Sequence, residues 1–439
     1  MGIFLIGSVI IIFVSQGFSL NLEEWTIEKR GGLFLKFAPS DAALFINGKK
    51  KKVREGFLSQ GMLVSNLAPG AYRIALQKEG FAPWEKEMEV YPGIVSSESN
   101  IRLWPTNPVL TEEASSSQAF WITGKGLVTK SGKGSLMFNG KELKGTEMEF
   151  ADAADATIIT KLGSTLFLTN LSNPQESLNI SDLFLSLKER QLNLPGIVPI
   201  EHAMPHPFNN EKVLVTTQTS LYILDTKRIE LERIFTAARM QPVLTRSSQE
   251  AFIIDAQNNL VVINLIFKTS SRFPLHSLSA QRMETTPDGK HVLIVHGDKN
   301  TLSAYDTGNR SLQELASSVS GFALSPDGKK VAFAEQGKVI TVFFLEERYE
   351  ENRRWKKGSS FSLPETDPVR KIIWPGGLPG HLLILRADKE LIVQEATPTL
   401  PANSALLAEN VNQVLSKGKK IFLSRGDGTV AAFDVNRKE

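Results

Sequence analysis

The sequence predicts a mainly β protein: an apolar N-terminal helix that spans a membrane, a small β-sandwich, and a long run of repeated hairpins. Three observations carry this. Apolar and polar residues alternate with a period of two along many short segments, the pattern of half-buried strands. Turn chemistry punctuates those segments, as in LSPDGKK, Leu324 to Lys330, where Pro presets φ and Asp-Gly supplies a cap and a permissive residue. The hairpins recur at an interval near ~40 residues, the span of one four-stranded repeat unit.

The N-terminal element rests on Ile3 to Leu20, IFLIGSVIIIFVSQGFSL, which holds no charged residue. A bilayer core takes about 20 apolar residues. No Lys or Arg precedes the run and no small-x-small site follows it, both of which a cleaved signal peptide shows. It therefore reads as an uncleaved anchor over residues 1–22, with a buried N-terminal strand or helix as the other reading. Only Lys29 and Arg30 count toward orientation, and they favour the opposite side from an exported domain. The domains that follow nevertheless predict that the bulk of the chain is extracytoplasmic.

Residues 31–105 change character. FINGKK, Phe45 to Lys50, sets Asn47-Gly48 between an apolar segment and a lysine run, and Asn-Gly accepts the positive φ angles of a type I′ hairpin. Pro69-Gly70 is a second turn, after which Tyr72, Ile74 and Leu76 alternate with Arg73, Ala75 and Gln77. Met88 and Val90 repeat the alternation before Pro92-Gly93. The stretch resembles a PEGA domain, a small β-sandwich of surface and envelope proteins, through Pro39-Ser40-Asp41-Ala42, Phe45 to Lys49, Leu67, Pro69-Gly70, Tyr72, Gly80-Phe81, Trp84, Val90 and Gly93. Asp41 stands where that family prefers Gly, and the Gly-x-Thr-Pro segment between its halves is absent. The family has no known catalytic residues, so the resemblance implies adhesion or scaffolding. Lys49 to Lys52 with Arg54 form a basic patch, suited to anionic lipid or an acidic polymer, or to a solvated hairpin tip.

From Ala119 onward the repeat is legible. Hairpins begin near Ala119, Thr157, Val213, Ala251, Val292, Val331, Leu382 and Ile421. Two intervals are longer and hold inserts. Ser181 to Leu192 reads as a helix with Leu183, Phe184 and Leu187 on one face and Ser181 as N-cap. Glu346 to Ser360 reads as a charged loop. One twisted four-stranded sheet cannot bury both its faces, whereas several packed round an axis can. Residues 107–439 are therefore expected to form a β-propeller, with eight blades the predicted count and seven the next, closed by a strand borrowed from near Pro108. The Ser-Pro-Asp-Gly-Lys turn at Pro326 and its partner at Pro287 are similar to TolB-type propeller repeats. Because the motif recurs, Asp327-Gly328 reads as a turn former rather than a ligand site.

Chemistry is sparse. The 439 residues include no cysteine, which removes thiol catalysis, disulfides and Cys-based zinc sites, and 50 basic residues nearly balance 47 acidic ones, unlike a nucleic-acid-binding protein. His202 and His206 lie four apart in EHAMPH, the helical spacing for a shared metal, but Pro205 between them favours a strand or loop. His276, His291, His296 and His381 are isolated. No Gly-x-Ser-x-Gly elbow appears, GKGLVTKSGKGS from Gly124 lacks phosphate-loop spacing, and Asp427 in RGDGTV occupies a repeat turn. No catalytic, cofactor-binding or metal residue is assigned. The order of parts leads to an expectation of a non-catalytic, membrane-anchored envelope protein that binds protein or polysaccharide, or scaffolds an assembly. The alternative is a propeller enzyme acting on glycans or peptides through acids gathered at its axis.

Overall fold

In the computed structural model of the chain, the residues described are 18–21, 26–51, 61–152, 155–246, 249–275, 280–297, 299–350, 353–364, 367–399 and 401–435. Residues 3–17 of the expected anchor lie outside them. Phe18–Asn21 forms a strand paired with Thr26–Lys29, so the last residues assigned to a spanning helix are β structure instead. The short antiparallel ladder satisfies the backbone without a helix. Among the described residues no helix is long and apolar enough to cross a membrane.

Two sheets follow. Gly31–Ala38 lies between Met62–Leu67, antiparallel, and Val95–Arg102, parallel. The second sheet runs Lys49–Lys50, Ala43–Ile46, Gly70–Gln77, Trp84–Val90. Their facing sides share one core: Leu33, Leu35 and Phe37 meet Leu44, Ile46, Ile74, Leu76 and Trp84. Asn47 and Gly48 both have positive φ, 47° and 75°, as the Asn-Gly hairpin requires. Lys52 and Arg54 of the basic patch lie outside the described residues.

Among the described residues, eight four-stranded antiparallel sheets then form the propeller. In seven, the strands lie side by side in chain order. The eighth takes Val411–Lys417, Lys420–Arg425 and Val430–Asp434 and completes itself with Thr111–Ala114, pairing Thr111 with Ala432 and Glu112 with Ala431. The ring is thus closed by a strand that precedes the first blade.

The second strands explain the burial. Their central residues are mostly apolar, as in Ala251 to Ile254, and alternate residues serve opposite neighbours. Ala251 and Ile253 join Leu214 and Phe235 of the third blade, while Phe252 and Ile254 join Met283 and Tyr305 of the fifth. The last seam is filled in the same way, by Phe422 and Val430 of the eighth blade against Phe120 and Ile122 of the first. A strand buried on both faces loses its polar alternation.

The two clean turns are built alike. Asp327 Oδ1 accepts from Ser325 Oγ at 2.7 Å and from Lys329 N, and Gly328 N donates to Ser325 O. Asp288, Thr286 and Gly289 repeat that geometry. Gly328 has φ of 71°, and a Cβ there would fall 2.8 Å from Pro287 Cδ, so the turns of adjacent blades abut where glycine alone fits.

Three expectations are corrected. The helix spans Ile180–Leu192, and its N-cap is Asn179, whose Oδ1 accepts from Asp182 N at 3.1 Å; Ser181 Oγ accepts from Leu166 N instead. The insert after Phe344 is not a loop but a hairpin, Arg348–Glu350 with Arg353–Trp355, held because Trp355 stacks on Phe344 with centroids 4.7 Å apart. The hairpin at Ala119 lies on the first strand of its blade, whereas the other seven start on second strands. Both hairpins of a blade alternate alike, which hides the phase.

Replacing Phe120 with Ala should lower unfolding free energy by about 3–5 kcal/mol, because the ring is fully buried at the closing seam. Phe267→Ala, at a 76% exposed position, should change it by less than about 0.5 kcal/mol. Denaturant titration distinguishes the two, and equal effects would refute a seam held by packing.

Candidate functional site

The axis of the ring is lined by the innermost strands. Five of them break register at equivalent places, after Ser117, Ala280, Val319, Val369 and Val411. The residue resuming the ladder turns toward the next blade in four consecutive cases. The Arg282 guanidinium lies over the Phe322 ring at 4.6 Å. Gly321 approaches Lys371, whose Cα would lie 3.5 Å from an added Cβ. Lys371 Nζ donates to Val414 O at 3.2 Å. Gln413 Nε2 donates to Phe120 O at 2.8 Å, and its Oε1 accepts from Phe120 N. A bulge re-aims a side chain, and here it aims a polar or small residue across each seam.

The axial carboxylates are also engaged. Glu149 Oε1 lies 2.9 Å from His202 Nδ1 and accepts from Ala203 N. Glu284 lies 3.1 Å from Arg282; burial pushes its carboxyl up, and Arg282 offsets part of that. Burial, with the like charges of Arg282 and Arg370, holds the Lys371 ammonium below the ordinary lysine range. Among the described residues no group of three or more His, Asp or Glu is placed to hold a metal.

His202 and His206 fall on one strand, where four residues span roughly 13 Å, too far to share an ion. His206 Nδ1 accepts from Phe208 N. His296 Nε2 bonds Ser303 Oγ at 2.8 Å, and His291 faces Asp306 at 3.8 Å. His276 lies outside the described residues. Asp427 shapes the turn between the second and third strands of the eighth blade, accepting from Thr429 N at 2.8 Å, and that bond holds its carboxyl low. Beside this turn is a cleft of about 730 Å³, bordered by Asn107, Pro108, Leu110, Leu407, Asn410 and Arg425.

The most elaborate polar site joins the sandwich to the seventh and eighth blades. Trp84 Nε1 donates to Glu395 Oε1. Lys86, 1% exposed, lies 3.5 Å from Glu98, 4.0 Å from Glu395 and donates to Thr397 Oγ1. Asn403 behaves like an added strand residue: its Oδ1 accepts from Glu85 N, and its Nδ2 donates to Glu85 O and to Glu395. Arg102 Nη1 donates to Val435 O at 2.6 Å. Trp104 enters the core between the two blades, edge-on to His381 at 5.5 Å. Burial holds the His381 imidazole down to about 4, and its Nε2 has no hydrogen-bond partner among the described residues. Of these residues the sequence singled out only Trp84, as part of the PEGA-like pattern, and His381, as an isolated histidine. One signal was available: in WEKEMEV, Lys86 occupies the inward phase shared by Trp84, Met88 and Val90. A lysine in that phase is rarely buried without a partner.

No family model matches the sequence, and no curated protein is similar to it. Among solved structures, BamB from Moraxella catarrhalis is similar at 11% identity and TM-score 0.45, covering 74% of this chain and all of that one. Hsv2 of Kluyvelomyces marxianus matches at 11% identity and TM-score 0.46, over 67% of this chain and 98% of its own. The propeller domain of Cps50 (Swd1) from Myceliophteria thermophila matches at 12% and 0.40, over 64% and 97%. The propeller architecture stands on the strand pairing described above.

Lys86→Ala should destabilise the chain by about 3–5 kcal/mol, since it strands buried carboxylates. Combining Lys86→Met with Glu395→Gln should restore part of that, as read by denaturant unfolding; an unshifted midpoint for Lys86→Ala would show that the network contributes nothing. His381 gives a pH signature. Its folded pKa is depressed, so the unfolded state binds the proton first, and stability present above about pH 6.5 is lost as pH falls toward 4. The loss approaches roughly 3 kcal/mol, and His381→Phe should flatten the difference over that range.

Proposed function

We propose that the chain is a non-catalytic binding and scaffolding protein of the cell envelope, in which a PEGA-like sandwich holds a propeller in fixed orientation and the propeller receives a protein partner. The observation that carries this is the distribution of exposed apolar side chains. In each blade the turns between strands one and two and between strands three and four share a face, since successive strands reverse direction. On that face the third and fourth blades present Phe208, Ile229, Ile266 and Phe267, each at least 44% exposed. Ion pairs Glu211–Lys227 and Lys268–Glu232 tie these turns together. Asn264 Oδ1 accepts from Ile266 N and Phe267 N, fixing the tip that displays them. A shared group of exposed large apolar residues marks an association surface, and with Asn264 occupied internally the tip suits protein better than sugar.

The non-catalytic reading is supported by the use of Glu149, Arg282 and Lys371 across seams at the axis and by the pairing of Glu284 with Arg282. The envelope location rests on the apolar N-terminal run and on the order of the domains. A photocrosslinking residue placed at Phe267 in the full chain, in cells, should give one adduct of discrete protein mass, absent when the same residue replaces exposed Lys133. A glycan adduct would favour a polysaccharide partner, and adducts of equal intensity at both positions would reject the surface.

A further inference from the structure

The axial bulges each leave one residue outside the ladder: Gln118, Gln281, Ser320, Arg370 and Asn412. All stand at the strand end beside the turn between the second and third strands of their blade, since the residue before each bulge pairs with Ser131, His296, Glu335, Arg386 or Arg425. They therefore border one mouth of the ring, on the face opposite the apolar tips of the third and fourth blades. The three amides turn back onto their own blades. Gln281 Nε2 donates to Gly297 O at 2.9 Å, while Gln118 Nε2 donates to Gly132 O and Asn412 Nδ2 to Arg425 O, both at 3.3 Å. Arg370 is different. It is exposed, and among the described residues its guanidinium has no hydrogen-bond or carboxylate partner.

Two more cations converge on the same place, and the inner strand of the sixth blade is where they meet. From the fifth blade, Arg282 lies over the Phe322 ring at 4.6 Å. A stacked guanidinium keeps its N–H edge for hydrogen bonding. From the seventh blade, Arg370 and Lys371 pack on Gly321, where an added Cβ would lie 3.5 Å from Lys371 Cα and 3.6 Å from Arg370 O. The sixth blade itself brings only Ser320 and Gly321 to the bulge, neither of them charged. Burial, and then the like charges of Arg282 and Arg370, depress the Lys371 ammonium, and no carboxylate opposes them. Glu284, 3.1 Å from Arg282, is the carboxylate that answers this group among the described residues, and burial disfavours its charge. Net positive charge at the mouth of a low-dielectric channel draws anions.

We propose that this mouth binds an oxyanion, the carboxylate or phosphate group of a ligand, held by Arg370, Arg282 and Lys371. A guanidinium grips either group through paired N–H donors, and the exposed Ser320 hydroxyl adds another donor. Next in the ring, a cleft of about 390 Å³ bordered by Gln118, Asn412 and Arg425 gives room for the rest of the ligand. The site does not depend on the partner surface of the third and fourth blades.

Isothermal titration of the full chain with inorganic phosphate, and separately with citrate, tests this at an ionic strength held constant with sodium chloride. At least one of the two should bind saturably. Arg370 is exposed at a bulge, so Arg370→Gln leaves the fold intact. It should weaken binding about tenfold or more, the loss expected of a hydrogen bond between charged groups. Lys141→Gln, at an exposed lysine of the first blade, should leave the affinity unchanged. Gly321 has room for a side chain, and Gly321→Asp would set a carboxylate of the chain's own beside Arg370 and Lys371; it should abolish anion binding. Tighter phosphate binding identifies a phosphoryl ligand and tighter citrate binding a carboxylate, and both uphold the site. No binding in either titration, equal affinity in the wild type and Arg370→Gln, or full binding by Gly321→Asp overturns it. A loss in Lys141→Gln as large as in Arg370→Gln overturns it in favour of diffuse surface charge.

Discussion

The backbone pairing of Thr111–Ala114 with Val430–Asp434 is the constraint from which the other placements follow. A ring of sheets has one seam that chain connectivity does not provide. Here a strand from before the first blade completes the last sheet. That choice fixes residues 102–110 against the eighth blade, which leaves the sandwich no position except beside blades seven and eight. Trp104 then fills the core between them, and Arg102 caps Val435 O. Closure and domain docking are therefore one event in this topology.

The joint uses a different currency from the seams. Blade faces are held by apolar burial, which is non-directional and tolerates exchange of similar side chains. The joint is held by a buried lysine between two carboxylates, an indole N–H on one of them, and an asparagine imitating a strand. Such groups contribute little net stability as a set, but each is costly to orphan. They fix one orientation of the sandwich on the propeller, because a slipped arrangement would bury unpaired charge.

The axis shows the same division. Four successive inner strands send Arg282, Gly321, Lys371 and Gln413 across their seams from the same bulge position. These residues look unrelated in sequence, and only the shared bulge makes them equivalent. With them committed to neighbouring blades, the mouths of the ring and the blade tips carry the free chemistry.

Local rules were strong where they concerned turns and alternation. Asp-Gly and Asn-Gly set their turns through φ, and hairpins spaced near ~40 residues set the repeat, because both depend on neighbours in sequence. The helix was legible, but its cap was not: Asn179 and Ser181 are equally good caps by type, and Leu166, distant in sequence, claimed Ser181. The charged insert became a hairpin because Phe344 offered Trp355 a stacking face. Lys86 carried a sequence signal only as a misplaced charge; which carboxylates answer it depends on Glu395 arriving from more than three hundred residues away. The sequence alone determined that there would be many hairpins, where they turn and which faces are apolar, since those follow from covalent neighbours. Tertiary structure alone decided which ends meet, which polar groups are buried together and which surfaces stay open, since those depend on how the ring closes.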